Sequence, residues 1–144
     1  MKRLFSWLML PVVLIGMLLV FYVTSPLKKL PSQLALETYE PRGHMVEQRI
    51  ITSDDPVYRR LKSFLDSERT GWWWNLTSSG PSPYVLRAEG LTIRCYENGM
   101  VISVYGSGPP RSYRKGVPNL LQTLGLPESS DWEELYKKRR SIRR

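Results

Sequence analysis

The sequence predicts an α+β fold: an N-terminal transmembrane helix, then a small domain in which an antiparallel β-meander is packed by two or three helices. Three observations carry this expectation. Residues 4 to 23, LFSWLMLPVVLIGMLLVFYV, contain no charged side chain. Two tight-turn signals, Glu89-Gly90 and Asn98-Gly99, separate runs in which apolar and polar residues alternate. Residues 56 to 69 repeat apolar side chains at helical spacing.

The apolar run sets the expected organisation. At about 1.5 Å per residue, a helix of this length spans about 30 Å, the thickness of a bilayer's hydrocarbon core. The run exceeds the apolar region of a signal peptide, and no small-x-small cleavage site follows it. The nearest candidate, Val23-Thr24-Ser25, is followed by Pro26, which disfavours cleavage. Residues 1–23 are therefore expected to be an uncleaved single-pass anchor in the cell membrane. Lys2 and Arg3 abut the run on one side, and Lys28, Lys29 and the more distant Arg42 lie on the other, so the charge comparison is close to a tie. The short basic N-terminus favours the inside, which places the C-terminal domain outside the cytoplasm.

Residues 24–44 hold Pro26, Pro31 and Pro41 and show little apolar periodicity, so they read as a partly extended linker. Residues 45–136 are the expected folded unit, large enough for one compact domain. Residues 137–144 form a basic tail. The chain's net charge of +8 is concentrated there, in Lys137, Lys138, Arg139, Arg140, Arg143 and Arg144. Setting aside these six and the leading Lys2 and Arg3 leaves 13 basic against 13 acidic side chains, so the folded part is nearly neutral. With one cysteine, no internal disulfide can form, and the domain must be held by its core.

Within the domain the sheet register can be read. A two-residue Asn98-Gly99 loop sets Glu97 opposite Met100, Cys95 opposite Ile102 and Ile93 opposite Val104. A turn at Glu89-Gly90 sets Ala88 opposite Leu91 and Leu86 opposite Ile93. Side chains alternate faces along a strand, so both turns collect Tyr84, Leu86, Leu91, Ile93, Cys95, Met100 and Ile102 on one face. Arg87, Arg94, Tyr96 and Tyr105 fall on the other. Met45 to Thr52 is a further candidate strand.

The apolar face needs a cover. Val57, Leu61, Phe64 and Leu65 supply one from a helix with Asp55 at its N-cap and Pro56 in its first turn. A shorter helix over Pro118 to Leu124 presents Leu120, Leu121 and Leu124 and stops at Gly125. Ser130 with Glu133 matches a capping box that opens a last helix leading into the tail.

Side chains able to carry chemistry are few. The only histidine, His44, falls in the linker, which leaves no multi-histidine metal site and no histidine-based nucleophile triad within the predicted domain. Cys95 is expected to be buried and inert on the apolar sheet face. Asp54, Asp55, Glu133 and Glu134 are explained by helix starts, where negative charge is favourable. Gly106-Ser107-Gly108-Pro109-Pro110 lacks the lysine of a phosphate loop and reads as a strand exit. Nothing in the sequence calls for a cofactor or a metal.

The candidate contact surfaces are three. Trp72-Trp73-Trp74 offers large, rigid, amphipathic area, with Trp72 and Trp74 on one face of an extended segment and Trp73 on the other. Arg87, Arg94, Tyr96 and Tyr105 offer cations beside aromatic rings for an anionic or aromatic partner. The six basic tail residues offer attraction to an anionic surface. The function expected from these features is that of a membrane-anchored, non-catalytic domain engaging another protein or an envelope component. A membrane-tethered, carboxylate-dependent hydrolase ranks second, because neither histidine nor cysteine is obligatory for that chemistry. Binding of nucleic acid through the tail ranks third and requires a domain facing the cytoplasm.

Overall fold

The computed structural model describes residues 22–23, 26–27, 29–77 and 79–128. They form one eight-stranded antiparallel sheet in the order β1-β4-β8-β7-β6-β5-β2-β3, with two helices. The strands are β1 (Tyr22–Val23), β2 (Gln33–Tyr39), β3 (Met45–Thr52), β4 (Trp72–Trp74), β5 (Tyr84–Ala88), β6 (Leu91–Tyr96), β7 (Gly99–Val104) and β8 (Arg111–Gly116). The helices are α1 (Pro56–Ser67) and α2 (Leu120–Leu124).

This architecture corrects the expected one. The sheet, not a three-stranded meander under two or three helices, is the body of the fold. Strands β5, β6 and β7 are extended by β8 on one side, and the sheet continues through β4 to β1. On the other side β2 and β3 complete it. Residues 33–39, inside the segment expected as linker, form β2, which pairs with both β3 and β5. Its alternation had no second apolar run beside it to reveal it, because β3 carries Glu47, Gln48 and Arg49 at its centre.

The membrane expectation is corrected as well. Among the described residues no helix is long and apolar enough to cross a membrane. Tyr22 and Val23, the last two residues of the apolar run, are a short strand paired with Trp73 and Trp72. The rest of the run, residues 4–21, lies outside the described residues. So do the helix expected after Ser130 and the whole basic tail.

At the first hairpin and at both helices, local structure follows the sequence. The first hairpin pairs Ala88 with Leu91 and Leu86 with Ile93, with Gly90 at φ +67° in its turn. Helix α1 starts at Asp55, whose Oδ1 accepts from the Val57 backbone N–H at 2.8 Å, and Pro56 fills the first turn. Asp55 is also ion-paired with Arg49 of β3, which ties the helix start to the sheet edge. Helix α1 buries Val57, Tyr58, Leu61, Phe64 and Leu65, a stripe at i, i+1, i+4, i+7 and i+8 along one face. Helix α2 ends at Gly125 in the left-handed conformation (φ +70°).

The second hairpin differs in register. Cys95 pairs with Met100 and Ile93 with Ile102, so the turn is centred on Glu97-Asn98 rather than on Asn98-Gly99. The shift moves the partner strand by two residues. Because side chains alternate with period two, every residue keeps its face, and the apolar set stays together. The displaced turn has its own role: the Glu97 carbonyl accepts from the Leu120 N–H at 2.8 Å and the Asn98 carbonyl from the Val117 N–H at 3.1 Å. The turn thus satisfies a donor at the start of α2, whose Asn119 makes no side-chain cap.

One core results, between the helices and one sheet face. Leu86, Ile93, Cys95 and Ile102 are completely buried there, together with Ile51 of β3 and with Leu34 of β2, the strand that the linker reading left out. The opposite sheet face carries Glu37, Val85, Arg87, Arg94, Val101 and Arg114, and it positions the candidate site.

Candidate functional site

The tryptophan run divides along the lines expected of an extended segment. Trp72 enters the core and is 0% exposed; its indole N–H donates to the Glu68 carbonyl at 2.8 Å, and Lys115 Nζ stands 5.8 Å from the ring centroid. It belongs to the core, not to a binding surface. Trp74 lies on the same side, 42% exposed, edge-on to Tyr113 at 5.7 Å between centroids. Trp73 projects from the opposite face and is 44% exposed.

The expected cluster of Arg87, Arg94, Tyr96 and Tyr105 is not one surface. Tyr105 follows β7 at the Gly90 end of the sheet, where its N–H donates to the Gly90 carbonyl. Tyr96 ends β6 at the opposite end, six residues away along the strand, or roughly 20 Å. Arg87 is engaged: its Nε donates to Glu37 Oε2 at 2.8 Å. Glu37, 6% exposed, also accepts from the Tyr39 hydroxyl at 2.7 Å and from Gln48 Nε2 at 3.5 Å. This hydrogen-bonded carboxylate raises the Arg87 pKa above its ordinary value. The group is a polar clasp joining β2, β3 and β5. Arg94 sits mid-face, between Val85 and Val101 in register. The tail residues Lys137, Lys138, Arg139, Arg140, Arg143 and Arg144 lie outside the described residues.

What the fold assembles instead is a groove of about 790 Å³ across the Tyr96 end of this face. Trp73 of β4 and Arg114 of β8 form one end, and Tyr96, with the turn after it, forms the middle. Tyr39 at the end of β2 and Pro41 of the β2–β3 connection, with Pro81 and Pro83 before β5, close the other end. Tyr39 and Tyr96 are held by their hydroxyls, the latter donating to the Gly80 carbonyl at 2.9 Å. The rings are therefore fixed before any ligand arrives, which lowers the ordering cost of binding. Arg114 pairs in register with Trp73 and Val101, is exposed, and makes no ion pair among the described residues.

Of the residues singled out in the sequence, the groove takes Trp73 and Tyr96. Tyr39, Pro81, Pro83 and Arg114 were not singled out, and Pro41 only as a linker proline. They come from separate chain segments and follow no periodicity, so proline and tyrosine beside strand ends were the only available signal. The groove's carboxylates, Glu40 and Glu97, lie on different turns. Among the described residues no group of three His, Cys, Asp or Glu side chains is placed to hold a metal ion. His44 is exposed in the β2–β3 turn, where its carbonyl accepts from the Glu40 N–H.

Cys95 is completely buried in the apolar core, and desolvation pushes its thiol up from an ordinary 9.0 to about 12. A raised acid stays protonated in the folded chain while it ionises in the unfolded one. Its contribution to stability is complete below pH 9 and is lost as pH rises from 9 towards 12. An aromatic disulfide reagent at pH 8 should therefore leave Cys95 unmodified in buffer and titrate one thiol per chain in denaturant. Rapid modification of the folded chain would contradict this burial.

Comparison of the chain with protein-family models, with curated proteins and with solved structures finds no match.

Proposed function

We propose that this is a non-catalytic recognition domain that engages an extended segment of another protein in the groove between Trp73 and Pro41. The observation that supports this reading is the conjunction, in one cleft, of fixed tyrosine rings and a cation that makes no ion pair among the described residues. Trp73, Tyr39 and Tyr96 present flat apolar surface, the prolines add rigid walls, and Arg114 offers a donor fork to a carboxylate. Such a groove suits a segment with little backbone entropy to lose, whose apolar side chains lie against the rings. Neither an ordered acid–base pair nor a nucleophile enters the reading.

Site-specific photocrosslinking in the native cell tests it. A photoreactive residue at position 73 should give a discrete protein adduct, whereas one at position 105, on the far end of the same face, should not. Arg114→Glu in the first background should reduce the adduct about tenfold, the scale of one lost charged contact. Equal adducts from both positions, or an adduct indifferent to Arg114→Glu, would sink the proposal.

A further inference from the structure

Strand β3 ends the sheet, and no described strand covers its outer side. Which backbone groups it presents follows from its neighbours. The Tyr39 N–H donates to the Pro83 carbonyl, so the odd-numbered residues of β2 point to β5 and the even-numbered ones to β3. Thr38, Leu36 and Leu34 face Glu47, Arg49 and Ile51, which therefore spend their backbone groups inward. The N–H and C=O of Gln48 and Ile50 point away from the sheet. Ile50 is 62% exposed and Met45 54% exposed, on an edge that would otherwise be open to pairing.

The geometry points to a second copy of this chain as the occupant of that edge, joined antiparallel and centred on Gln48. A two-fold axis normal to the sheet keeps each residue on its face, so only residues of like parity can meet. With Gln48 opposite itself, Glu47 meets Arg49 of the second copy and Arg49 meets its Glu47; these residues lie past the bulge that ends the regular register at Val46. Moving the centre by one residue sets Arg49 against Arg49. Moving it by two sets Arg49 against Ile51. One register alone pairs opposite charges twice, so the centre of the edge (Glu-Gln-Arg) is self-complementary. Charges on an edge strand ordinarily repel further strands; here they select one. Arg49, already oriented by Asp55, remains 44% exposed and keeps donors for a second carboxylate. This contact uses the sheet edge remote from Trp73 and does not depend on the groove. Because both copies keep their faces, the dimer would present two grooves on one side of a continuous sheet.

Sedimentation of the full chain tests the inference. The unmodified chain should dimerise. Glu47→Arg sets arginine against arginine in both cross-pairs, and Arg49→Glu sets glutamate against glutamate. Each should weaken the dimer about tenfold or more, since two attractive pairs become repulsive. An equimolar mixture of the two variants should recover it, because every pair across the mixed interface is again of opposite sign. A monomeric unmodified chain overturns the inference. So does a dimer indifferent to both substitutions, or a mixture that stays dissociated although circular dichroism shows both variants folded. Should Arg49→Glu fail to fold, Gln48→Cys is the second probe. It should form an intermolecular disulfide on mild oxidation, since the two positions face each other and the native Cys95 is buried; no crosslink overturns the inference.

Discussion

Replacing Trp72 by alanine should lower the stability of the domain by about 3–5 kcal/mol, the range for removing a large aromatic side chain from a packed core. Replacing Trp73 should cost about 1 kcal/mol or less, as expected of a half-exposed residue on a sheet face. The two are adjacent in sequence, chemically identical and separated only by the pleat. Trp72 loses its burial, its N–H bond to Glu68 and the cation above its ring. It also lies beneath the junction of β4 with β1 and β8, so the cavity opens where the sheet is narrowest. Chemical denaturation followed by circular dichroism gives both numbers. Comparable losses for the two variants would show that the run does not divide between core and groove. The same pair separates stability from recognition: with the photoreactive residue moved to position 41, at the other end of the groove, Trp73→Ala should remove the crosslinked partner from a domain that unfolds at nearly the usual denaturant concentration.

Alternation alone placed Trp72 and Trp74 on one face and Trp73 on the other, but it did not say that Trp72 would be buried and Trp74 exposed; much of the local structure was legible. Asp55, Pro56 and the apolar stripe of α1 agree with one another, and the structure follows them. The first hairpin was readable because Gly90 does occupy the left-handed region that its turn requires. The extent of the sheet was not. Strand β8, Arg111–Gly116, buries only Tyr113, and β4 has three residues, so neither carries enough alternation to announce itself. Strand β2 offers only Leu34 and Leu36 at alternate positions, and the prolines around it outweighed that short signal. Long-range pairing decided these elements, and a single chain's pattern does not contain it.

The candidate site was less legible for the same reason. Trp73 and Tyr96 stood out by composition, but their company is set by pairings between segments far apart in sequence. Arg87 and Arg94 share a face as the alternation requires, yet Glu37 engages the first, and Glu37 belongs to the strand read as linker. Tyr105 has the parity of Tyr96 and lies at the other end of the sheet. Parity assigns a face; only the register along the strand assigns a place on it.

Gly99 offers the sharpest separation of the two accounts of its hairpin. In a type I′ turn at Asn98-Gly99, the glycine would be needed for positive φ, and asparagine would replace it well. Among the described residues neither Asn98 nor Gly99 has positive φ; Gly99 instead pairs with Tyr96 and Gly116. A Cβ there would lie 2.9 Å from the Lys115 carbonyl oxygen, a backbone atom of the neighbouring strand that cannot swing aside. Gly99→Ala should therefore cost about 1–3 kcal/mol, as overpacking does, and Gly99→Asn should be no milder. Gly116→Ala, directly across the ladder, meets nothing within 4 Å and should be close to neutral. Thermal unfolding of the three variants decides the matter. A near-normal Gly99→Asn beside a weakened Gly99→Ala would restore the type I′ turn and with it the other register. Because Gly99 and Gly116 both line the groove and Arg114 lies two residues away on β8, forcing the strands apart should also displace the guanidinium. The Gly99→Ala chain that remains folded should then lose the adduct at position 73, and Gly116→Ala should keep it.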